Sequence, residues 1–219
     1  MQQMTEDGSS FDRGRLEAYL SNIPDLHTWD GGENWCSGGF EANHLQRLFD
    51  FLKTHQCRRI VETGAGNSTL TFLLAQPERL VSIAPDPALF DRIAAYCAKH
   101  GIADHALERH LDGSQWALPR MIAAGTLADF DFALIDGAHG WPYVFVDFFY
   151  MHALLRQGGH IMLDDKPLHS VGELIRWLNE QPGYSVALDL GKAIVYRKDA
   201  AGAEFPEWNG QPYIARLSR

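Results

Sequence analysis

From residue 58 onward, apolar runs of strand length alternate with amphipathic runs of helix length, and the alternation ends in two strands with only a glycine between them. "RRIVET", "RLVSIA", "HALERHL", "FDFALID" and "HIMLDD" are the first five strands, each followed by a helical stretch. Strand–helix alternation predicts a parallel sheet covered by helices on both faces. "YSVALDLG" and "KAIVYRK" then meet at Gly191. No helix fits between them, and a parallel pair needs a crossover, so these two strands must form an antiparallel hairpin. The expected fold is α/β: a doubly wound, mostly parallel, seven-stranded sheet closed by a C-terminal antiparallel hairpin.

The helices have their own signals. "LQRLFDFL" places Leu45, Leu48, Phe49 and Leu52 on one face ahead of the first strand. "PALFDRIAAYCAKHG" has Pro87 in its first turn and Gly101 as its stop. "YVFVDFFYMHALLRQGG" reads as a helix ending at two glycines, and Val171, Leu174, Ile175 and Leu178 make a later apolar stripe. Three regions follow: residues 1–39, an N-terminal helix with a segment that is either a lid or a packed entry loop; residues 40–198, the α/β domain; and residues 199–219, a tail or subunit contact.

A formal net charge of −9 disfavours a nucleic-acid backbone or an anionic membrane as main partner and leaves a small molecule or a protein, with a homo-oligomer open. Cys36, Cys57 and Cys97 form neither a disulfide framework nor a paired metal spacing, which fits a reducing cytoplasm. The start has no signal-peptide apolar region, and no apolar run reaches the ~18 residues of a membrane helix.

In open α/β sheets, ligands lie outside the carboxyl ends of the strands, near the point where strand order reverses. "VETGAGNSTL", residues 61–70, ends the first strand and opens a helix there. A dinucleotide fingerprint would have a third glycine where Thr69 stands, and no Gly-Lys-Ser/Thr phosphate loop is present. Glu62 before the glycines points instead to a cationic or hydrogen-bond-donating ligand.

At these residues the chain resembles the class I S-adenosylmethionine-dependent methyltransferases, most closely their small-molecule O-methyltransferase branch with macrocin-type and catechol-type enzymes. The resemblance runs over about residues 40–198 and rests on "VETGAGNSTL", "LDGSQWALP", "FALIDGAH" and "RQGGHIMLDD". It implies that Glu62, Gly64, Gly66 and Ser68 hold the methionine part of S-adenosylmethionine, and that Asp112, Gly113 and Ser114 lie near the adenine. The plain alternative for Asp112 is a turn or helix cap. Relatives place an acid right after the second strand for the ribose hydroxyls. Here Ala84 stands there, and Asp86 either replaces that acid or only caps the following helix.

The same resemblance makes the fourth and fifth strands neighbours, with ends ~5 Å apart, so Asp136, Asp164 and Asp165 converge. Three close carboxylates repel unless something neutralises them. A hard divalent cation such as Mg²⁺ is the natural answer, and acids at these positions bind one in the metal-dependent relatives. The alternative is that the aspartates cap turns and a helix. His139 is placed to deprotonate a substrate hydroxyl or to bond locally in its loop. Lys166 is a second, weaker base or a charge partner for Asp164. Trp141 and Tyr143 either line an acceptor pocket or pack the helix start. The expected activity is S-adenosylmethionine-dependent methylation of a small-molecule hydroxyl; the alternative is a non-catalytic binding protein on the same fold.

Overall fold

The computed structural model describes residues 6–27, 39–126, 129–201 and 205–214, with side chains from Arg13. The chain divides into two compact units, residues 1–112 and 113–219. In the first, helices α1 (Glu6–Leu20) and α2 (Ala42–Thr54) precede strand β1 (Arg59–Thr63), helix α3 (Asn67–Leu74), strand β2 (Arg79–Ile83), helix α4 (Pro87–His100) and strand β3 (Leu107–His110). β1 pairs in parallel with β2, and β2 with β3. The stripe predicted from "LQRLFDFL" is buried along its whole length at Leu45, Leu48, Phe49 and Leu52. Gly101 ends α4 in the left-handed conformation (φ 63°), as its position past the last apolar residue predicts.

The second unit begins with helix α5 (Ser114–Ala123), strand β4 (Phe130–Ile135), helix α6 (Tyr143–Leu154) and strand β5 (Leu155–Leu163). Helix α7 (His169–Leu178) and strands β6 (Tyr184–Asp189) and β7 (Ile194–Lys198) follow. β5 is parallel to β4, whereas β7 is antiparallel to both β5 and β6. The expected hairpin therefore forms, and its second strand is the inner one. The strand order is β3-β2-β1 in the first unit and β4-β5-β7-β6 in the second. All six residues of β4 are buried, as a strand covered on both faces requires.

One boundary departs from the expectation. The helix read through Gly159 stops at Leu154, and residues 155–159 belong to β5. Leu155 is buried opposite Phe130, and Arg156 Nε donates to Asp131 Oδ1 at 2.5 Å, so the strand is pinned at its start. The pairing jumps from Leu155 to His160 across two residues of β4, and Gly158 takes φ 78° in that irregularity. The two glycines mark a bulge rather than a helix stop. The tail is also more engaged than expected: the Phe205 ring lies 5.1 Å from Trp177 and 4.3 Å from His152.

Among the described residues no helix is long and apolar enough to cross a membrane. Leu134, inaccessible at the centre of β4, tests the core: Leu134→Ala is expected to lower unfolding free energy by about 3 kcal/mol in urea titrations, through lost transfer energy and a residual cavity.

Candidate active site

The glycine loop is braced from beneath. Glu62, the fourth residue of β1, is wholly buried and accepts hydrogen bonds from Ser68 Oγ (2.8 Å) and Thr69 Oγ1 (2.5 Å). Thr69 Oγ1 in turn accepts from the Gly66 N–H at 2.9 Å. The threonine in place of a third glycine thus links the strand acid to the loop backbone. Burial pushes the Glu62 carboxyl up to about 7 despite its hydroxyl donors. Glu62 and Ser68 spend their polar atoms on each other, so their structural part is to shape the loop. Gly64 (φ 84°) and Gly66 (φ 156°) hold conformations that L side chains rarely adopt.

The entry segment reaches this loop. A Cβ on Gly66 would meet His27 Nε2 at 2.7 Å. Asn67 Nδ2 donates to the Pro24 carbonyl at 3.2 Å, and Arg92 Nε to the Leu26 carbonyl at 2.6 Å. Residues 24–27 are therefore packed onto the loop, while residues 28–38 of the segment read as either a lid or an entry loop, with Cys36, lie outside the described residues. Asp86 caps α4 by accepting from the Ala88 N–H (2.9 Å), and its other oxygen pairs with Arg92 at 3.2 Å. Of the two roles open to Asp86, the structure displays the cap. Ala84 is buried at the end of β2. Asp112 and Gly113 follow β3, and Ser114, nearly buried, opens α5.

At the ends of β4 and β5 the expected convergence occurs, with an added member. Asp136 follows β4, and Asp164 and Asp165 follow β5, where the Asp164 N–H donates to the Ile135 carbonyl at 3.1 Å. The Lys192 ammonium, from the β6–β7 turn, lies 3.0 Å from Asp164 Oδ2 and 3.3 Å from Asp165 Oδ1. His139 places Nδ1 3.7 Å from Asp165 Oδ2 and Nε2 3.9 Å from Asp136 Oδ1. The backbone carbonyl of His139 accepts a hydrogen bond from Ser170 Oγ at the start of α7. Asp165 sits at φ 52°, a conformation costing a non-glycine residue roughly 1–3 kcal/mol.

The electrostatics follow from burial and crowding. Loss of water and the charge of Asp164 hold the Asp136 carboxyl well above the usual range. Asp164, 1% exposed, is also raised, by burial first, against the pull of Lys192. Burial lowers the Lys192 pKa, but Asp164, Asp165 and Asp136 together outweigh it and keep the side chain protonated. Burial lowers His139 more than Asp165 and Asp164 raise it, so the imidazole is neutral at pH 7.

The expected divalent ion does not fit this arrangement. Among the described residues no three acidic, histidine or cysteine side chains are placed to hold a metal. The point toward which Asp164 and Asp165 face is taken by an ammonium group. Lys166, expected as a base or as the partner of Asp164, turns to Asp189 instead, at 2.7 Å. The partner of Asp164 is Lys192, which sequence reasoning missed.

Beside the His139 loop is a cavity of about 460 Å³ lined by Trp141, Phe145, His169, Ser170, Glu173 and Trp177. Trp141, one of the two residues weighed for an acceptor pocket, is on its wall; Tyr143 is not among its lining residues. Trp141 and Phe145 meet edge to face at 4.9 Å.

A raised carboxyl pKa at Glu62 has a consequence for stability. The folded state binds the proton more tightly than the unfolded chain, so stability falls as pH rises from about 4.5 to about 7 and is level above that. Glu62→Gln, which mimics the protonated acid, is expected to remove that slope. In urea titrations its gain over the parent at pH 8 should exceed its gain at pH 4 by up to about 3 kcal/mol.

Residues 61–166 match the family model of a methyltransferase domain. No curated protein matches the chain. Several solved structures share the fold. The O-methyltransferase TomG of Streptomyces achromogenes, involved in tomaymycin synthesis and solved with S-adenosylmethionine, is 21% identical with a TM-score of 0.61, over 86% of this chain and 89% of that one. A putative caffeoyl-CoA O-methyltransferase from Staphylococcus aureus is 12% identical with a TM-score of 0.63, over 87% of this chain and all of that one. The Podospora anserina methyltransferase PaMTH1, bound to S-adenosylhomocysteine, is 15% identical with a TM-score of 0.61, over 91% and 97%. The chain thus shares the fold of these methyltransferases, and its segment from the glycine loop to the acidic end of β5 is the part that matches the methyltransferase-domain model.

Proposed function

We propose that this protein transfers the methyl group of S-adenosylmethionine to a hydroxyl oxygen of a small, flat acceptor. The observation that carries the reading is His139: a neutral imidazole held between Asp136 and Asp165, beside a cavity walled by two tryptophans. The cofactor lies on Gly64 and Gly66, with Asp112, Gly113 and Ser114 toward the adenine. Glu62 and Ser68 act through the loop they brace, and Asp86 chiefly through the start of α4. The acceptor stacks against Trp141 and Trp177, whose faces suit an aromatic ring. The net charge of −9 favours such an acceptor over nucleic acid or an anionic membrane.

Methyl transfer is an in-line displacement at a carbon already activated by the sulfonium. The acceptor oxygen attacks the methyl carbon, the carbon–sulfur bond breaks, and S-adenosylhomocysteine leaves. His139 takes the hydroxyl proton as the oxygen–carbon bond forms, and the imidazolium faces Asp165 at 3.7 Å. Positioning of the acceptor supplies most of the remaining rate. No step is assigned to a metal or to Lys166.

Calorimetry with S-adenosylhomocysteine is expected to show one site per chain. Asp112→Ala should weaken it about tenfold, the worth of one charge-assisted hydrogen bond. No binding by the folded parent protein would leave the non-catalytic alternative standing. His139→Ala is expected to lower kcat by about two orders of magnitude with cofactor affinity kept. The parent pH–rate profile should fall on an acid limb below pH 6.5, where His139 is protonated, and the variant should lack it. Trp177→Ala should raise KM for an aromatic acceptor while kcat changes little.

A further inference from the structure

Lys192 belongs to a turn that is fastened to the end of β5 at several points. Its carbonyl accepts the Lys166 N–H at 2.8 Å, and the Lys166 ammonium pairs with Asp189 at the other side of the same turn. Asp189 Oδ1 also accepts the Gly191 N–H at 2.8 Å, which fixes the turn itself. The Lys192 side chain, 20% exposed, then runs inward to Asp164 and Asp165. Its ammonium bridges one oxygen of each acid.

We infer that Lys192 is a built-in cation that stands where a divalent ion would otherwise join Asp164 and Asp165, so that the site is closed to Mg²⁺ and methyl transfer proceeds without it. The inference rests on the proposed activity only for its last clause. Mg²⁺ is held by one or two carboxylates with water completing an octahedron. Two carboxylates facing one point would suffice here, but an ion entering that point must expel the ammonium. The expelled lysine would remain tethered by its turn beside a doubly charged ion, and its ammonium would lose both carboxylates with which it pairs. A protein cation needs no recruitment from solvent and cannot be removed by chelation. Lys192 thereby acts as a positioning residue: it keeps Asp165 turned to His139 without touching the acceptor.

Mn²⁺ binding followed by electron paramagnetic resonance tests this apart from any turnover. The parent protein and Lys192→Arg, which keeps the charge, are expected to leave Mn²⁺ free. Lys192→Met, shown to be folded by circular dichroism, should bind one Mn²⁺ at least about tenfold more tightly than the parent, and Asp164→Asn added to it should abolish that site. Mn²⁺ bound by the parent and lost in its Asp164→Asn variant would overturn the inference. So would a folded Lys192→Met protein with no gain. If Lys192→Met does not fold, the comparison of the parent with its Asp164→Asn variant decides alone. Parent turnover unchanged by a chelator supports the last clause, and turnover lost to a chelator and restored by Mg²⁺ overturns it. Failure to bind S-adenosylhomocysteine would instead strike the proposed activity and leave the Mn²⁺ result intact.

Discussion

The direction of β7 governs the chemistry of the second unit. Because β7 runs antiparallel to β5, its first residue, Ile194, lies beside Leu163, the last residue of β5. The β6–β7 turn is thereby delivered to the carboxyl end of the sheet, where the acids following β4 and β5 already stand. A parallel seventh strand would put its N-terminal turn at the opposite end, and Lys192 could reach neither Asp164 nor Asp165. The hairpin is thus more than a way to finish the sheet. It brings a lysine from late in the chain to the acids that most need a counter-charge.

Much of the fold is legible from the chain because buried strands and covering helices write different periods. The β4 run "FDFALI" and the stripe of α2 leave little choice of element, and the absence of room for a helix at Gly191 dictates an antiparallel pair. The end of α6 is not legible in the same way. "LLRQGG" continues an apolar helix pattern up to glycines that look like a stop, and only the pairing of Leu155 with Phe130 and of Arg156 with Asp131 reveals a strand beginning early. Phe205 is hidden for a similar reason: one aromatic in an aperiodic tail has no pattern until Trp177 and His152 are beside it.

The acids of the site were legible, and their partners were not. Strand ends identify Asp136, Asp164 and Asp165, but a residue's position in a strand does not say what neutralises it. Lys166 is adjacent to Asp165 in sequence and faces Asp189; Lys192 is remote and faces both acids. Only the knowledge that β7 lies between β5 and β6 would have singled out the second lysine. At the glycine loop the legible signal was Thr69, which reads as a departure from a three-glycine fingerprint. Its hydroxyl does a specific job there, donating to Glu62 while accepting from Gly66.

The two units thus solve the problem of a buried carboxylate in different ways. Glu62 is surrounded by hydroxyl donors, which satisfy its lone pairs but carry no charge, and burial still pushes its pKa to about 7. Near neutral pH it can hold a proton and act as a neutral brace, which suits a residue that fixes backbone shape. Asp164 and Asp165 are given a full positive charge at hydrogen-bonding distance. That charge opposes the burial that raises Asp164, and it leaves the other oxygen of Asp165 facing His139, where it can meet an imidazolium in the proposed reaction. Hydroxyls in place of Lys192 would satisfy the same oxygens, yet would supply no charge against the burial of Asp164. A buried acid that only shapes a loop tolerates neutral donors, whereas acids that must keep a charge near a proton acceptor require a cation, and here the β6–β7 turn supplies it.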